Sequence, residues 1–544
     1  MVDINALPDS ASDLKKIISN LNHKAISEIQ ARDQKIKTRD QEIQTKDQKI
    51  KTRDQEIQTK DQKIKTRDQK IQLLEDKINI LQRNNYAPKS EKVSPNQLGL
   101  FNEAEELTLD KIDDDKFEDK EIITYERNKK RKPRIPESLP REEIIIDLPE
   151  DKKFCPVDGT PLKEIGEETS EKLEFIPAKF KVLKTIRKKY ACPHCKEGIH
   201  NAPPPPSLIP KSILTPNLMA AIIVSKYLDS LPLYRQEEIF KRYGIQIPRQ
   251  TMARWVIDVS LKVIPLYNLL QETALSSDYL QMDETTVQVL KEKGKKATTN
   301  SYMWVRYQPG NNPIILYDYA PTRSGSVPIE LLSGFKGYLQ TDGYEGYSKV
   351  CLNPNLTRLG CSDHARRKFE NAFKTSSGKG IGKKGLIIFQ KLYKIEKRIK
   401  DLTSEQKYEI RLKESKPIWD ELKSWLESLK GKITPKSVGG KAVNYTLNQF
   451  DFLTNYLKDG RLNMSNILIE NHIRPFAIGR KNWLFSNSVD GAVASGMWYS
   501  LIQTAKANGL EPFDYLRKML DKLPHAEKIE DYEKILPLKN LFKI

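Results

Sequence analysis

An isoleucine every seven residues near the N-terminus restricts this chain more than any other feature. Ile29, Ile36, Ile43, Ile50, Ile57, Ile64, Ile71 and Ile78 hold that spacing. The segment D-Q-K-I-K-T-R-D-Q-E-I-Q-T-K runs from Asp33 to Lys46 and recurs unchanged from Asp47 to Lys60. No glycine or proline interrupts Ala11 to Tyr86, so the pattern predicts one long helix. A coiled coil needs apolar residues at both core positions of the heptad. With Ile at a, the d column is Arg39, Lys46, Arg53, Lys60 and Arg67; with Ile at d, the a column is aspartate. Both positions are apolar only at Ile71, Leu74, Ile78 and Leu81. Residues 1–88 therefore read as a helical spacer that self-associates near its C-terminal end, giving at least a dimer.

Bulk composition narrows the partner. The 544 residues exceed one small domain, and 38% hydrophobic against 30% charged residues requires extended or solvated parts. A net charge of +19 favours an acidic polymer, with DNA or RNA foremost. No apolar run approaches a membrane span of roughly 18 residues, and no signal-peptide core opens the chain. Five cysteines do not resemble a secreted disulfide framework, so the expected location is cytoplasmic, without membrane contact.

Residues 89–150 read as linker, acidic at Asp113 to Asp115, basic at Lys129 to Lys132 and broken by Pro133, Pro136 and Pro140. Residues 151–202 carry C-P-V-D (Cys155 to Asp158) and C-P-H-C (Cys192 to Cys195), separated by strand-like runs such as Phe180 to Ile186. Two such knuckles suit one structural Zn²⁺ held by Cys155, Asp158, Cys192 and Cys195, with His194 and His200 as other candidates for the fourth ligand.

After the proline run Pro203 to Pro206, residues 207–275 read as helical. Helices over Asn217 to Asp229 and Arg235 to Tyr243, a turn at Gly244 and a further helix from Pro248 make a helix-turn-helix pattern. Arg249, Gln250 and Arg254 would then meet DNA; a plain helical hairpin with Trp255 buried is the alternative.

From residue 276 strands are expected at Leu280 to Leu290, Tyr302 to Tyr307, Ile314 to Tyr319 and Gly337 to Gln340. Asp283 lies in the first and Asp342 just after the fourth, while Glu470 sits in a helical stretch. Carboxylates brought together from separate elements are oxygen-only ligands suited to Mg²⁺ or Mn²⁺. Two such ions can clamp the attacking and leaving oxygens of a phosphodiester. Glu284, next to Asp283, should point to the opposite face of an extended strand. His364, Arg366, Arg367 and Lys368, and later Arg474, Arg480, Lys481 and Asn482, are candidate DNA contacts.

Several words occur in one order: L-P-L-Y-R-Q-E (Leu231 to Glu237), M-D-E-T-T (Met282 to Thr286), L-Q-T-D-G-Y (Leu339 to Tyr344), H-A-R-R-K-F (His364 to Phe369), G-R-K-N-W-L-F (Gly479 to Phe485) and Y-S-L-I-Q-T-A-K-A-N-G-L (Tyr499 to Leu510). Through them the run from Leu208 to Leu516 resembles the transposases of the insertion sequence 66 family. The resemblance implies a multidomain α+β chain with a ribonuclease-H-like core over residues 276–375 and 459–510, an all-helical insertion over 376–458 and a tail over 511–544. In that topology the first and fourth strands are neighbours. It implies that Asp283, Asp342 and Glu470 occupy the positions of a DDE triad using two Mg²⁺ or Mn²⁺ ions. It also implies a leucine-zipper-like N-terminus, a zinc domain usually built on four cysteines where this chain has Asp158, and small accessory proteins from the same element. Ile467 replaces a second Asn common in relatives. The expected activity is cutting and joining of the ends of a mobile element. A repressor relic that binds ends without cutting, or a general metal-dependent nuclease, are the competing readings.

Overall fold

The computed structural model describes residues 11–86, 179–191, 199–376 and 380–542, with isolated positions and short runs between 141 and 172. The repeat region is a single helix, α1 (Ala11–Tyr86). Its threonines are tolerated inside the helix because each hydroxyl bonds the carbonyl four residues back, as Thr38 does to Gln34 and Thr52 to Gln48. The isoleucine column stays on the surface, 58% exposed at Ile29 and 53% at Ile71.

The chain divides into two compact units, Pro88–Pro204 and the remainder. In the first, β1 (Lys189–Ala191) pairs antiparallel with β2 (Ile199–Asn201), Ala191 opposite Ile199. The C-P-H-C run is the sequence between these strands. Cys155, Asp158, Cys192, His194 and Cys195 lie outside the described residues. Phe180 to Ile186, expected as a strand, is not one. It has no partner ladder among the described residues, and Val182 and Ile186 are exposed.

The larger unit also contains α1, and from residue 205 it opens with four helices: α2 (Pro216–Tyr227), α3 (Leu233–Arg242), α4 (Arg249–Lys262) and α5 (Ile264–Leu275). Thr215 caps α2 by accepting the Leu218 N–H at 3.2 Å. Gly244, at φ 76°, makes the turn between α3 and α4 in a conformation that favours glycine. Met252, Trp255, Val256 and Val259 recur at helical spacing and turn one face of α4 into the core.

The central sheet has β3 (Tyr279–Lys291), β4 (Asn300–Gln308), β5 (Ile314–Ala320), β6 (Gly337–Gln340) and β7 (Leu356–Leu359), ordered β5-β4-β3-β6-β7. The first three form an antiparallel meander; β6 and β7 add in parallel. A short helix, α6 (Ser326–Leu331), crosses between β5 and β6. After β7 comes α7 (Ser362–Thr375). The insertion is all helical: α8 (Ile381–Arg398), α9 (Ser404–Ile410), α10 (Lys416–Leu429), α11 (Val438–Asn448) and α12 (Phe450–Thr454). It has its own core around Phe389, Trp419, Leu422 and Tyr456, continued onto Leu359 and Phe369.

The chain returns as α13 (Ile467–Trp483), β8 (Ser486–Ser488) and α14 (Val489–Ala507). Helix α14 covers the edge strand β5. Ser500 Oγ accepts the Tyr317 N–H at 2.8 Å, Thr504 Oγ1 accepts that of Ile315 at 3.0 Å, and Asn508 Nδ2 donates to Pro313 O at 2.8 Å. Their four-residue spacing lays one face of the helix along a strand that would otherwise leave its backbone unpaired. Gly496 is needed there, because a Cβ would stand 2.5 Å from Tyr317 O. The segment expected as a tail is folded: α15 (Pro512–Lys522) and α16 (Ile529–Glu533) follow, with Tyr515, Leu516, Met519, Leu520 and Leu536 buried in the main core.

Candidate active site

Strand register brings the two aspartates level. Gln281 on β3 is opposite Gln340 on the parallel strand β6, and each stands two residues before its aspartate. β6 stops at Gln340 while β3 continues, so Asp283 lies within its strand and Asp342 just past the end of its neighbour. The Asp342 carboxylate accepts the Tyr344 N–H at 2.9 Å, an Asx turn that fixes its direction. Arg358 on β7 holds the backbone there, donating to Asp342 O at 2.6 Å and Thr341 Oγ1 at 3.0 Å. Burial pushes the Asp283 carboxyl well above the usual carboxylate range, and the charges of Glu284, Asp342 and Glu470 push it further. Asp342 and Glu470 are therefore electrostatic neighbours of Asp283.

Glu470 is the fourth residue of α13. The helix start is tied to both strands by a buried amide network. Gln281 Oε1 accepts the Ile469 N–H at 3.2 Å, a first-turn donor that Asn466 O also accepts at 3.1 Å. Gln281 Nε2 donates to Gln340 Oε1 at 2.8 Å, the Tyr279 hydroxyl donates to the same oxygen at 2.6 Å, and Gln340 Nε2 donates to Asn463 O at 2.7 Å. Glu470 Oε2 accepts from Arg367 at 2.7 Å. Its Oε1 is buried without a hydrogen-bond partner. A buried carboxyl pushed up by neighbouring carboxylates, with one carboxylate oxygen unpaired beside it, fits hard divalent cations. Among the described residues, the ligand atoms that converge within 4.8 Å belong to Cys361, His364 and Glu470, and neither aspartate is in that group.

Glu284 is fully engaged: Oε1 accepts from Arg323 and Oε2 from the Tyr347 hydroxyl, each at 2.6 Å. The candidate DNA contacts separate into two groups. Arg249, Gln250 and Arg254 are exposed on α4, as are Lys368 on α7 and Lys481 and Asn482 at the end of α13. Asn482 also donates to Ser230 O at 3.1 Å. His364 is about a quarter exposed, and Arg367, partly exposed, pairs with Glu470. Arg474 is half-buried. Arg366, expected at the DNA surface, is buried beside Asp363 and over the Tyr393 ring of the insertion. Arg480 is drawn inward too, donating to Thr285 Oγ1 at 3.1 Å and Thr286 Oγ1 at 2.8 Å, which fastens α13 to β3 just beyond Asp283. Both stand on helix faces that meet neighbouring elements, which a basic run in the sequence does not reveal.

Gln281, Gln340 and Arg358 escaped the sequence reading. A signal existed for the first two, since Gln-x-Asp occurs at the same place in both strands. Arg358 carried none.

Residues 211–494 match the family profile described as Transposase IS66 family. Residues 152–196 match the zinc-finger binding domain of transposase IS66, 500–538 the IS66 C-terminal element, and 73–144 the profile named Transposase C of IS166 homeodomain. An uncharacterized protein of Sinorhizobium fredii, y4jD, is 33% identical over 74% of this chain and 81% of its own length. A second from the same organism, y4qI, is 30% identical over 85% of this chain and 87% of its own. Among the described residues no helix is long and apolar enough to cross a membrane. The mixed sheet with its helical insertion falls within the first of these matches, and the chain belongs to the IS66 family of transposases.

Proposed function

We propose that this protein cuts and rejoins DNA at the ends of an insertion sequence, with Asp283, Asp342 and Glu470 as the catalytic carboxylates. The observation that carries this reading is the level placement of Asp283 and Asp342 on neighbouring parallel strands, with Glu470 acting electrostatically on the same point. The sheet order, an antiparallel meander followed by two parallel strands, supports a ribonuclease-H-like core. The three carboxylates would hold Mg²⁺ or Mn²⁺, which when bound supplies Lewis-acid stabilisation of the attacking and leaving oxygens. Water attacks a phosphodiester and frees a 3′-hydroxyl; that hydroxyl then attacks target DNA, one ester bond forming as another breaks. Arg367 orients Glu470, and the network of Gln281 and Gln340 keeps α13 against the two strands.

Arg249, Gln250 and Arg254 would contact DNA from the start of α4, with Lys368 and Lys481 exposed and His364 partly exposed nearer the carboxylates' elements. Cys155, Asp158, Cys192 and Cys195 would hold one structural zinc, and α1 would pair chains so that two ends are cut together. Full-length protein, Mn²⁺ and DNA carrying the element's ends provide the test. Cutting followed by end joining is expected. End binding without cutting would leave a repressor, and cutting without end preference a general nuclease. Replacing Cys192 and Cys195 with Ser should release one zinc per chain by elemental analysis; unchanged zinc content would remove them as ligands.

A further inference from the structure

Cys361 stands two residues after β7, at the residue before α7; His364 stands in the first turn of α7; Glu470 reaches the same point from α13. One ligand atom from each, a thiol sulfur, an imidazole nitrogen and a carboxylate oxygen, lies within 4.8 Å of the others. Two polar atoms in this group have no hydrogen-bond partner: His364 Nδ1 and Glu470 Oε1 are both buried. They face each other at 3.9 Å, too far for a hydrogen bond. An orphaned buried polar atom is destabilising, so the pair is placed as though for an atom between them. The Cys361 side chain is 1% exposed, with the Asn466 N–H at 3.5 Å from its sulfur.

A sulfur, nitrogen and oxygen donor set is foreign to Mg²⁺ and suits zinc. Tetrahedral bonds of about 2.0–2.3 Å put ligand atoms roughly 3.3–3.6 Å apart, so a small closure of the present arrangement completes three sides of a site. The Glu470 carboxylate is already oriented, because Oε2 stays with Arg367 at 2.7 Å.

We propose that Cys361, His364 and Glu470 form a binding site for a thiophilic divalent cation, zinc foremost, whose occupancy inhibits DNA cutting. Binding forms the sulfur–metal bond and releases the Cys361 proton to solvent. Inhibition follows because Glu470 Oε1 then no longer serves Asp283 and Asp342. The inhibitory half rests on the catalytic reading of Glu470; the binding half does not.

The test uses full-length protein with its structural zinc in place, titrated with Co²⁺. Wild type should take up one further Co²⁺ per chain with a thiolate-to-cobalt charge-transfer band, and Cys361→Ala should lose both. In Mn²⁺-dependent cutting, the zinc concentration giving half inhibition should rise about 10- to 100-fold in Cys361→Ala, with cutting in zinc-free buffer unchanged. His364→Ala supplies a second variant for the cobalt titration if Cys361→Ala folds poorly by circular dichroism. Equal cobalt uptake and equal charge-transfer intensity in wild type and folded variants would overturn the site. A wild type that binds Co²⁺ through Cys361 yet cuts no DNA overturns the catalytic reading and leaves the site standing.

Discussion

Along α1 the isoleucines from Ile29 to Ile71 are each more than half exposed, whereas in the sheet even the amides of Gln281 and Gln340 are wholly buried and bonded. The first region is specified by a period. The second is specified by individual partners, each of which leaves another group unsatisfied when removed. Mutation should therefore act on the two regions in opposite ways: the body should fail at single atoms, and the helix should tolerate the loss of whole turns. This contrast can be broken at several points.

The largest effect belongs to the carboxylates. Asp283→Asn, Asp342→Asn and Glu470→Gln should each lower cutting by at least about 10²–10³-fold, the scale of losing one preorganised electrostatic group. End binding, measured by gel shift, should survive. Near wild-type cutting by any one variant would remove that residue from the set. Asp283→Asn should also melt at a higher temperature than wild type in divalent-free buffer at neutral pH. The Asp283 carboxyl is raised by burial and then by neighbouring charge, so the stability it contributes is full below the ordinary carboxylate range and lost as pH rises through the raised value. An amide escapes that loss. Equal melting temperatures in calorimetry would mean that the charge is not penalised in the fold.

Arg306 provides the next test. It is 1% exposed, makes two bonds of 2.9 Å to Asp318 on the neighbouring strand and donates to Leu331 O at 2.9 Å. Arg306→Ala should cost about 3–5 kcal/mol, because it leaves a buried carboxylate without its cation. A urea midpoint close to wild type would show that water can reach Asp318 and that the body is more forgiving than the comparison holds.

A smaller loss is expected for Gln281→Leu, about 0.5–1.5 kcal/mol for each hydrogen bond removed. The Ile469 N–H would keep only Asn466 O, and Gln340 Oε1 would lose one of its two donors. Cutting should fall while the metal dependence keeps its form, since the variant shifts Glu470 without removing a ligand. Unchanged turnover would show that Arg367 alone suffices to place Glu470.

These variants also separate what was legible in sequence from what was not. Strands β3 to β6 were legible because short runs rich in β-branched, aromatic and other apolar residues mark strands, and three acidic residues stood out beside them. Gln281 and Gln340 were not, since a buried amide leaves no periodic trace and its worth depends on a partner distant in sequence. Arg366 was read as a surface cation because the run Arg366-Arg367-Lys368 looks uniformly basic. On a helix those neighbours point about 100° apart, and Arg366 turns toward Asp363 and Tyr393 while Lys368 turns outward. The C-terminal helix was legible but unread: Tyr515, Leu516, Met519, Leu520 and Leu523 repeat at helical spacing and are all buried.

The smallest effect is expected at the repeat. Asp47 to Lys60 is one complete copy, so deleting it preserves heptad phase, joins Lys46 to Asp61 and removes only turns whose second core position is charged. Self-association of the full chain, followed by sedimentation equilibrium, should change by no more than about 0.5 kcal/mol, the range of ordinary surface changes. Leu74→Lys with Leu81→Lys forms the contrast, because it puts charge into the stretch where both core positions are apolar. That pair should weaken association clearly while leaving the folded body intact. If the deletion weakens association as much as the double substitution, the isoleucine column itself carries the contact and the Arg and Lys of the d positions must be accommodated in the seam. If neither changes it, oligomerisation belongs to the part of the chain from residue 205 on, and the helix is a spacer whose length can drift without consequence. That result would sharpen the contrast between the two regions, because every specific contact would then lie in the part built from single partners.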